Sequence, residues 1–63
     1  MTSIEVAIAA SMELGRIVYP EYIEAAVGLG DDIAILTPDA IITIPRIIFQ
    51  TYITDWLEAV IEI

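Results

Sequence analysis

The fold depends on the stretch Ile33-Ala34-Ile35-Leu36-Thr37-Pro38-Asp39-Ala40-Ile41-Ile42-Thr43-Ile44, whose central residues suit two different structures. Thr37 suits a helix N-cap, Pro38 the first helical position, and Asp39 the electrostatics of a helix N-terminus. The same residues suit a type I turn between two strands, with Pro38 and Asp39 at its central positions. The segment therefore begins a second helix or forms a β-hairpin.

The helical interpretation is favoured by the pattern that follows this stretch. Polar side chains recur every three or four residues, as on one side of a helix, at Asp39, Thr43, Arg46, Gln50, Thr54, Glu58 and Glu62. Most of the remaining side chains are apolar, and a helix that is apolar nearly all round is buried nearly all round. We therefore predict a helix over 38–63 that needs neighbouring subunits to cover it.

The N-terminal half predicts a second helix, over about 3–28. Thr2 and Glu5 have capping-box spacing, and Gly28-Leu29-Gly30 is typical of a helix C-terminus. Pro20 and Pro45 are equally distant from the centre of the intervening loop, so both helices can kink at one level. The predicted fold is all-α: two long antiparallel helices, 3–28 and 38–63, kinked at Pro20 and Pro45, that form a hairpin.

The alternative fold is α-β-β-α, with strands on both sides of the Pro38-Asp39 turn. Ile, Val and Thr, the β-branched residues, make up 23 of the 63 residues, which favours strands. Pro45 would then end the second strand. Against this alternative, the polar alternation is weak and an isolated two-stranded ribbon is marginally stable. In either fold the chain is a single self-assembling domain over 1–63.

The composition predicts self-association. Hydrophobic residues are 59% of the chain, whereas ordinary soluble domains are about 45–50% apolar even when glycine is counted. A domain of about 60 residues buries only about 60% of its unfolded surface. A monomer would therefore expose large apolar patches, which are typical of interfaces. The expected partners are many copies of the chain itself.

Membrane insertion is the first competing explanation of this hydrophobicity. A spanning helix needs about 20 mostly apolar residues, but the longest charge-free stretch, 47–54, is much shorter. The chain start also lacks the basic segment of a signal peptide. These features argue against a membrane protein and leave a small subunit of a membrane complex as an alternative function.

The residue inventory argues against an enzyme. The chain has no His, Cys or Lys, and therefore lacks the usual general base, thiol nucleophile and commonest metal ligand. Asp31, Asp32 and Asp39 do not follow a calcium-loop pattern. We expect no catalytic residue, no metal, no cofactor and no small-molecule substrate.

Nucleic-acid contact could involve only the two arginines. With a net charge of −8, the chain cannot supply the phosphate neutralisation of a conventional nucleic-acid binder. Many copies in a tube could still align one arginine each along the lumen, and the candidates for non-specific contact with enclosed DNA are Arg46 and Arg16. The competing interpretation is a salt bridge, for example to Glu21 or Glu24.

The candidate interface residues are apolar side chains of the C-terminal half and small residues spaced four apart in the N-terminal half. On helices, the former offer buried area and the latter a shallow groove for another backbone. The predicted assembly interface consists of Ala7, Ser11, Gly15, Ile41, Ile44, Ile48, Phe49, Tyr52, Trp56 and Val60.

The chain is small, acidic and apolar, and its two prolines would place matching kinks in a helical hairpin. In this pattern it resembles the major coat proteins of rod-shaped or bacilliform archaeal viruses. The resemblance covers the pattern of the whole chain and includes no diagnostic motif. It implies a virion structural protein whose hairpins pack into a helical tube around the genome. There are two alternatives. One is a gas-vesicle-like wall protein, which is suggested by Arg46-Ile47-Ile48 and Glu58-Ala59-Val60 and implies a cytoplasmic shell. The other is a pilus subunit, which implies an extracellular filament.

Overall fold

The computed structural model describes residues 3–53 and 59–62, in which the chain forms a mixed α/β unit. Its helices are α1 (Ser3–Leu14) and α2 (Arg46–Tyr52), with a 3-10 turn at Pro20–Tyr22. Its strands are β1 (Ala25–Leu29), β2 (Asp32–Leu36), β3 (Ile41–Pro45) and β4 (Ile61–Glu62). The prediction of an all-α hairpin with helices over 3–28 and 38–63 is therefore wrong.

The four strands form one mixed sheet in the order β3-β2-β1-β4. Strands β1, β2 and β3 are antiparallel neighbours, whereas β4 runs parallel to β1. A two-residue turn joins β1 to β2, and Gly30 has a φ of 61° there. Tight hairpin turns require positive φ values, which glycine adopts without steric cost. Gly28-Leu29-Gly30 therefore ends a strand and not a helix.

The hairpin β2–β3 explains why the stretch 33–44 suits two structures. The Thr37 hydroxyl accepts a hydrogen bond from the Ala40 N–H at 3.1 Å, which is also the contact that an N-cap threonine makes in a helix. Here the Thr37 N–H also donates to the Ala40 carbonyl at 3.0 Å, which closes a turn between strands. The β-hairpin of the alternative fold is thus present, but α-β-β-α omits β1 and β4.

Neither proline kinks a long helix. Pro20 occupies the first position of the 3-10 turn, where no N–H donor is needed. Pro45 is the last residue of β3 and directly precedes α2. It lies opposite Asp32, at a position whose N–H does not take part in the β2–β3 ladder, so its missing donor is tolerated.

Both helices pack on one face of the sheet, which we call the inner face. Strand β3 alternates strictly, with Ile42 and Ile44 buried and the other three residues exposed. The core joins side chains of the inner face to α1 and α2, and its members are Val6, Ala9, Ala10, Val18, Ala26, Ile33, Ile35, Ile42, Ile44, Phe49, Ile53 and Val60. One short apolar side of each helix is enough to cover this face, so long helices that are apolar all round are not needed.

Candidate assembly surfaces

The end of α1 is built by the small residues that were predicted to form an interface groove. Gly15 has a φ of 78°, and its N–H donates to the Ser11 carbonyl at 2.9 Å. The Ser11 hydroxyl donates to the Ala7 carbonyl at 2.7 Å and accepts from the Val18 N–H at 2.8 Å. These contacts end the helix and turn the chain back along it. Ala7, Ser11 and Gly15 therefore have structural roles within a single copy.

The outward side of α1 is apolar. Ile4, Ile8 and Met12 are spaced four residues apart, opposite the buried Val6 and Ala10, and Met12 is 63% exposed. The returning chain extends this patch with two more exposed side chains, Ile17 and Tyr19. We call the set the helix surface, and it consists of Ile4, Ile8, Met12, Ile17 and Tyr19. Sequence reasoning missed it, although its four-residue spacing parallels that of the small residues one position earlier.

The outer face of the sheet, which neither helix covers, is also largely apolar. Side chains on one face of a sheet come from alternate residues of each strand, and the strand register places Val27 beside both Ala34 and Ile61. Three large side chains on this face are more than half exposed. We call them the sheet surface, and they are Leu29, Ile41 and Ile61.

The predicted interface residues of the C-terminal half are divided between core and surface. Ile44, Phe49 and Val60 belong to the core of the monomer, so their side chains are not offered to a partner. Ile41 is 69% exposed on the sheet surface, and α2 exposes the other two described members, Ile48 and Tyr52. Trp56 lies outside the described residues.

Arg46 forms a bidentate ion pair with Glu62 above the inner face of the sheet. The two Nη–Oε distances are 2.7 and 3.3 Å, and Arg46 Nε donates to the Gly30 carbonyl at 2.9 Å. The hydrogen bond to Glu62 raises the pKa of the Arg46 guanidinium and lowers the pKa of the Glu62 carboxyl. This pair ties β4 to the start of α2 and to the β1–β2 turn.

Arg16 faces a carboxylate as well. Its Nη2 lies 3.8 Å from Asp39 Oδ2, and both side chains are mostly exposed. The two residues proposed to contact DNA are therefore both engaged with acids of their own chain, as in the salt-bridge interpretation. The partners are Glu62 and Asp39, whereas the sequence suggested Glu21 or Glu24.

A cleft of about 300 Å³ lies between the segment 16–19 and the turn that precedes β3. Tyr19 and Tyr22 form one wall, with ring centroids 5.8 Å apart and ring planes nearly perpendicular. Pro38, Asp39 and Ile42 line the other side. The cleft is mainly apolar and adjoins the edge strand β3.

Within residues 3–53 and 59–62, no helix is long and apolar enough to cross a bilayer. The same residues contain no cluster of carboxylates with the geometry of a metal site. Comparisons with protein-family models, with curated proteins and with solved structures find no match to this chain.

Proposed function

We propose that the protein is a structural subunit that self-assembles through two apolar surfaces. The observation that carries the proposal is the opposite placement of the helix surface and the sheet surface. The core lies between the sheet and α1, so Met12 and Ile41 point away from each other on the two sides of the molecule. Clusters of exposed apolar side chains are typical of surfaces that bind partners.

The size of the molecule is compatible with two such contacts. The accessible surface is 4032 Å², and a stable protein interface uses about 800 Å² of each partner. Each contact would therefore take about a fifth of the surface. Two contacts on opposite sides can be occupied at once, which favours growth of an open or shell-like assembly over a closed dimer.

The net charge of −8 limits association without preventing it. Like charges on neighbouring copies repel, but salt screens exposed charges that are more than about 10 Å apart. The helix surface and the sheet surface contain no charged side chain. The acid beside the sheet surface is Asp32, which pairs with Leu29 at one end of the sheet and is exposed.

The geometry supports self-assembly more directly than it supports a virion coat around DNA. The coat resemblance depended on a helical hairpin, and the chain forms a mixed sheet. Both arginines also face acids of their own chain. Our proposal is therefore a self-assembling subunit, and a coat, a filament and a shell wall are three forms that such an assembly can take.

The proposal can be tested with one charged substitution on each surface. We choose Ile8→Glu for the helix surface and Leu29→Glu for the sheet surface, with the exposed Gln50→Glu on α2 as a control of equal charge change. Light scattering and negative-stain microscopy of the wild type should show large particles. Each surface variant should give small oligomers, the double variant no species larger than a few copies, and Gln50→Glu the wild-type particles. A wild type that remains a 6.9 kDa monomer would overturn the proposal.

A further inference from the structure

Strand β3 is an edge of the sheet, and half of its backbone polar groups point away from the protein. The ladder to β2 is bracketed by hydrogen bonds from Thr37 N to Ala40 O and from Arg46 N to Asp31 O. Because bonded and non-bonded pairs alternate in an antiparallel ladder, Ile42 and Ile44 are the β3 residues bonded to β2. The N–H and C=O groups of Ile41 and Thr43 therefore point outward.

These outward groups have no partner in the described parts of the chain. No backbone hydrogen bond beyond the ladder involves Ile41 or Thr43. The strand Ile41–Pro45 also lacks the features that normally protect an edge, since it has no charged side chain and its proline is at the last position. An edge of this kind is able to accept another strand.

We propose that β3 pairs antiparallel with β3 of a second copy, with Ile42 on the two-fold axis. This places Ile41 of each copy opposite Thr43 of the other, so both residues exchange N–H···O=C bonds and four hydrogen bonds form. A register centred on Thr43 would also form four hydrogen bonds, but it would leave the Ile41 C=O of each copy opposite Pro45, which has no N–H to donate. The joint merges two four-stranded sheets into one of eight strands. It rests on the proposed self-association and adds a third contact to the helix surface and the sheet surface.

The surroundings of the edge suit a second copy. The two Ile42 side chains would lie opposite each other on the inner face, next to the apolar cleft that Ile42 lines with Tyr19 and Pro38. In this register Asp39 lies opposite Pro45 of the second copy, and it already faces Arg16 at 3.8 Å. Asp32 pairs with Pro45 from the other side, in β2, and so stays outside the joint. Two copies can therefore meet along β3 without bringing an unpaired charge into the joint.

The first test removes one outward donor and leaves the monomer intact. Thr43→Pro deletes an N–H that the β2–β3 ladder does not use, whereas Thr43→Val retains the donor and serves as the matched control. Two hydrogen bonds per joint are lost, so Thr43→Pro should weaken association by at least about tenfold. Thr43→Val should associate as the wild type does, and circular dichroism should show the same fold in both.

The second test reads the register directly and does not depend on the proline variant folding. The chain has no cysteine, so Ile41→Cys and Thr43→Cys can be purified separately and mixed under mild oxidation. Paired residues of an antiparallel ladder have Cα atoms about 5.5 Å apart, within the range of a disulfide. We expect mainly heterodimers of the two variants, and a predominance of Thr43→Cys homodimers would overturn the Ile42-centred register.

The outcomes separate this inference from the proposed function. If Thr43→Pro assembles normally and the cysteine mixture gives no disulfide, the edge joint is wrong. The proposed function then still stands if Ile8→Glu or Leu29→Glu disrupts assembly. A monomeric wild type would refute both, and pairing of β3 only with a strand of another protein would refute the commitment to a second copy.

Discussion

The carboxylate of Glu62 lies directly over Gly28, its neighbour in the parallel β1–β4 pair. A Cβ atom added at position 28 would be 2.5 Å from Glu62 Oε1, which is closer than non-bonded atoms approach. A side chain at position 28 would therefore push the flexible end of Glu62 away from the position in which it reaches Arg46. We expect Gly28→Ala to displace the Glu62 carboxylate and to lengthen or break its ion pair with Arg46.

Gly28→Ala should change the pKa of Glu62. We expect this pKa to rise toward its ordinary value, because the carboxylate loses its hydrogen bond to the Arg46 guanidinium. NMR titration of the Glu62 carboxyl measures this pKa. In a Glu62→Ala background, Gly28→Ala should have little further effect on the free energy of unfolding, because no carboxylate remains to be displaced. Equal destabilisation in both backgrounds would contradict the proposed clash.

The ion pair predicts a pH dependence of stability at its acidic end. The pKa of Glu62 is lower in the folded protein than its ordinary value of 4.5. The pair therefore contributes fully above about pH 4.5, and its contribution is lost as the pH falls through the lower folded pKa. Urea unfolding across this range should show a stability difference between the wild type and Glu62→Gln that shrinks on acidification.

Arg46 adds no second transition in the accessible pH range. The pKa of its guanidinium is raised in the folded state by the hydrogen bond to Glu62, so its contribution is present throughout the acidic and neutral range and is lost only in strong alkali. A difference between the wild type and Glu62→Gln that stays constant from neutral pH to pH 3 would contradict the role of Glu62.

Phe49 and Ile47 provide a matched test of the side of α2 that faces the core. Phe49 is fully buried, whereas Ile47 is 79% exposed. Phe49→Ala should lower the free energy of unfolding by about 3–5 kcal/mol, which is most of the stability of a domain this small. Ile47→Ala should change it by less than about 0.5 kcal/mol.

Circular dichroism during urea titration gives the free energy of unfolding of both α2 variants. The protein concentration must be the same in all samples, because association also stabilises the fold. Equal effects of the two substitutions would mean that α2 packs through a different side.

The Ser11 hydroxyl predicts a moderate loss of stability when it is removed. Ser11→Ala leaves the Val18 N–H without its 2.8 Å acceptor at a buried residue, and an unsatisfied buried donor costs about 1–3 kcal/mol. Thr51→Ala is the control, because the Thr51 hydroxyl donates to the Ile48 carbonyl on the exposed side of α2. A larger effect of Thr51→Ala would contradict this role for Ser11.

The fold was only partly predictable because its strongest local signal is common to two structures. Thr37 makes the same hydroxyl contact to the N–H of Ala40 in a hairpin turn as it would at a helix start. The position of the turn was therefore predictable, whereas the choice between helix and strand was not. That choice depends on β1 and β4, distant segments of the chain that pair with the hairpin and extend it into a sheet.

The candidate surfaces were also predictable only in part. The excess of apolar residues predicted exposed patches, and Ile41, Ile48 and Tyr52 are at the surface. Ile44 and Phe49 were indistinguishable from them in sequence but lie in the core. In β3 the difference is one of register, since neighbouring residues of a strand point to opposite faces. In α2 it depends on which side of the helix faces the core.

The amino-acid composition alone determined the chemistry of the chain: its acidic charge, its lack of histidine, cysteine and lysine, and its excess of apolar side chains. Long-range pairing decided the rest. Val27 meets Ile61, and Arg46 meets Glu62, only after distant segments come together. Local preferences are worth less than about 1 kcal/mol per residue, so burial of one sheet face by two short helices outweighed them and determined which apolar surfaces remain for partners.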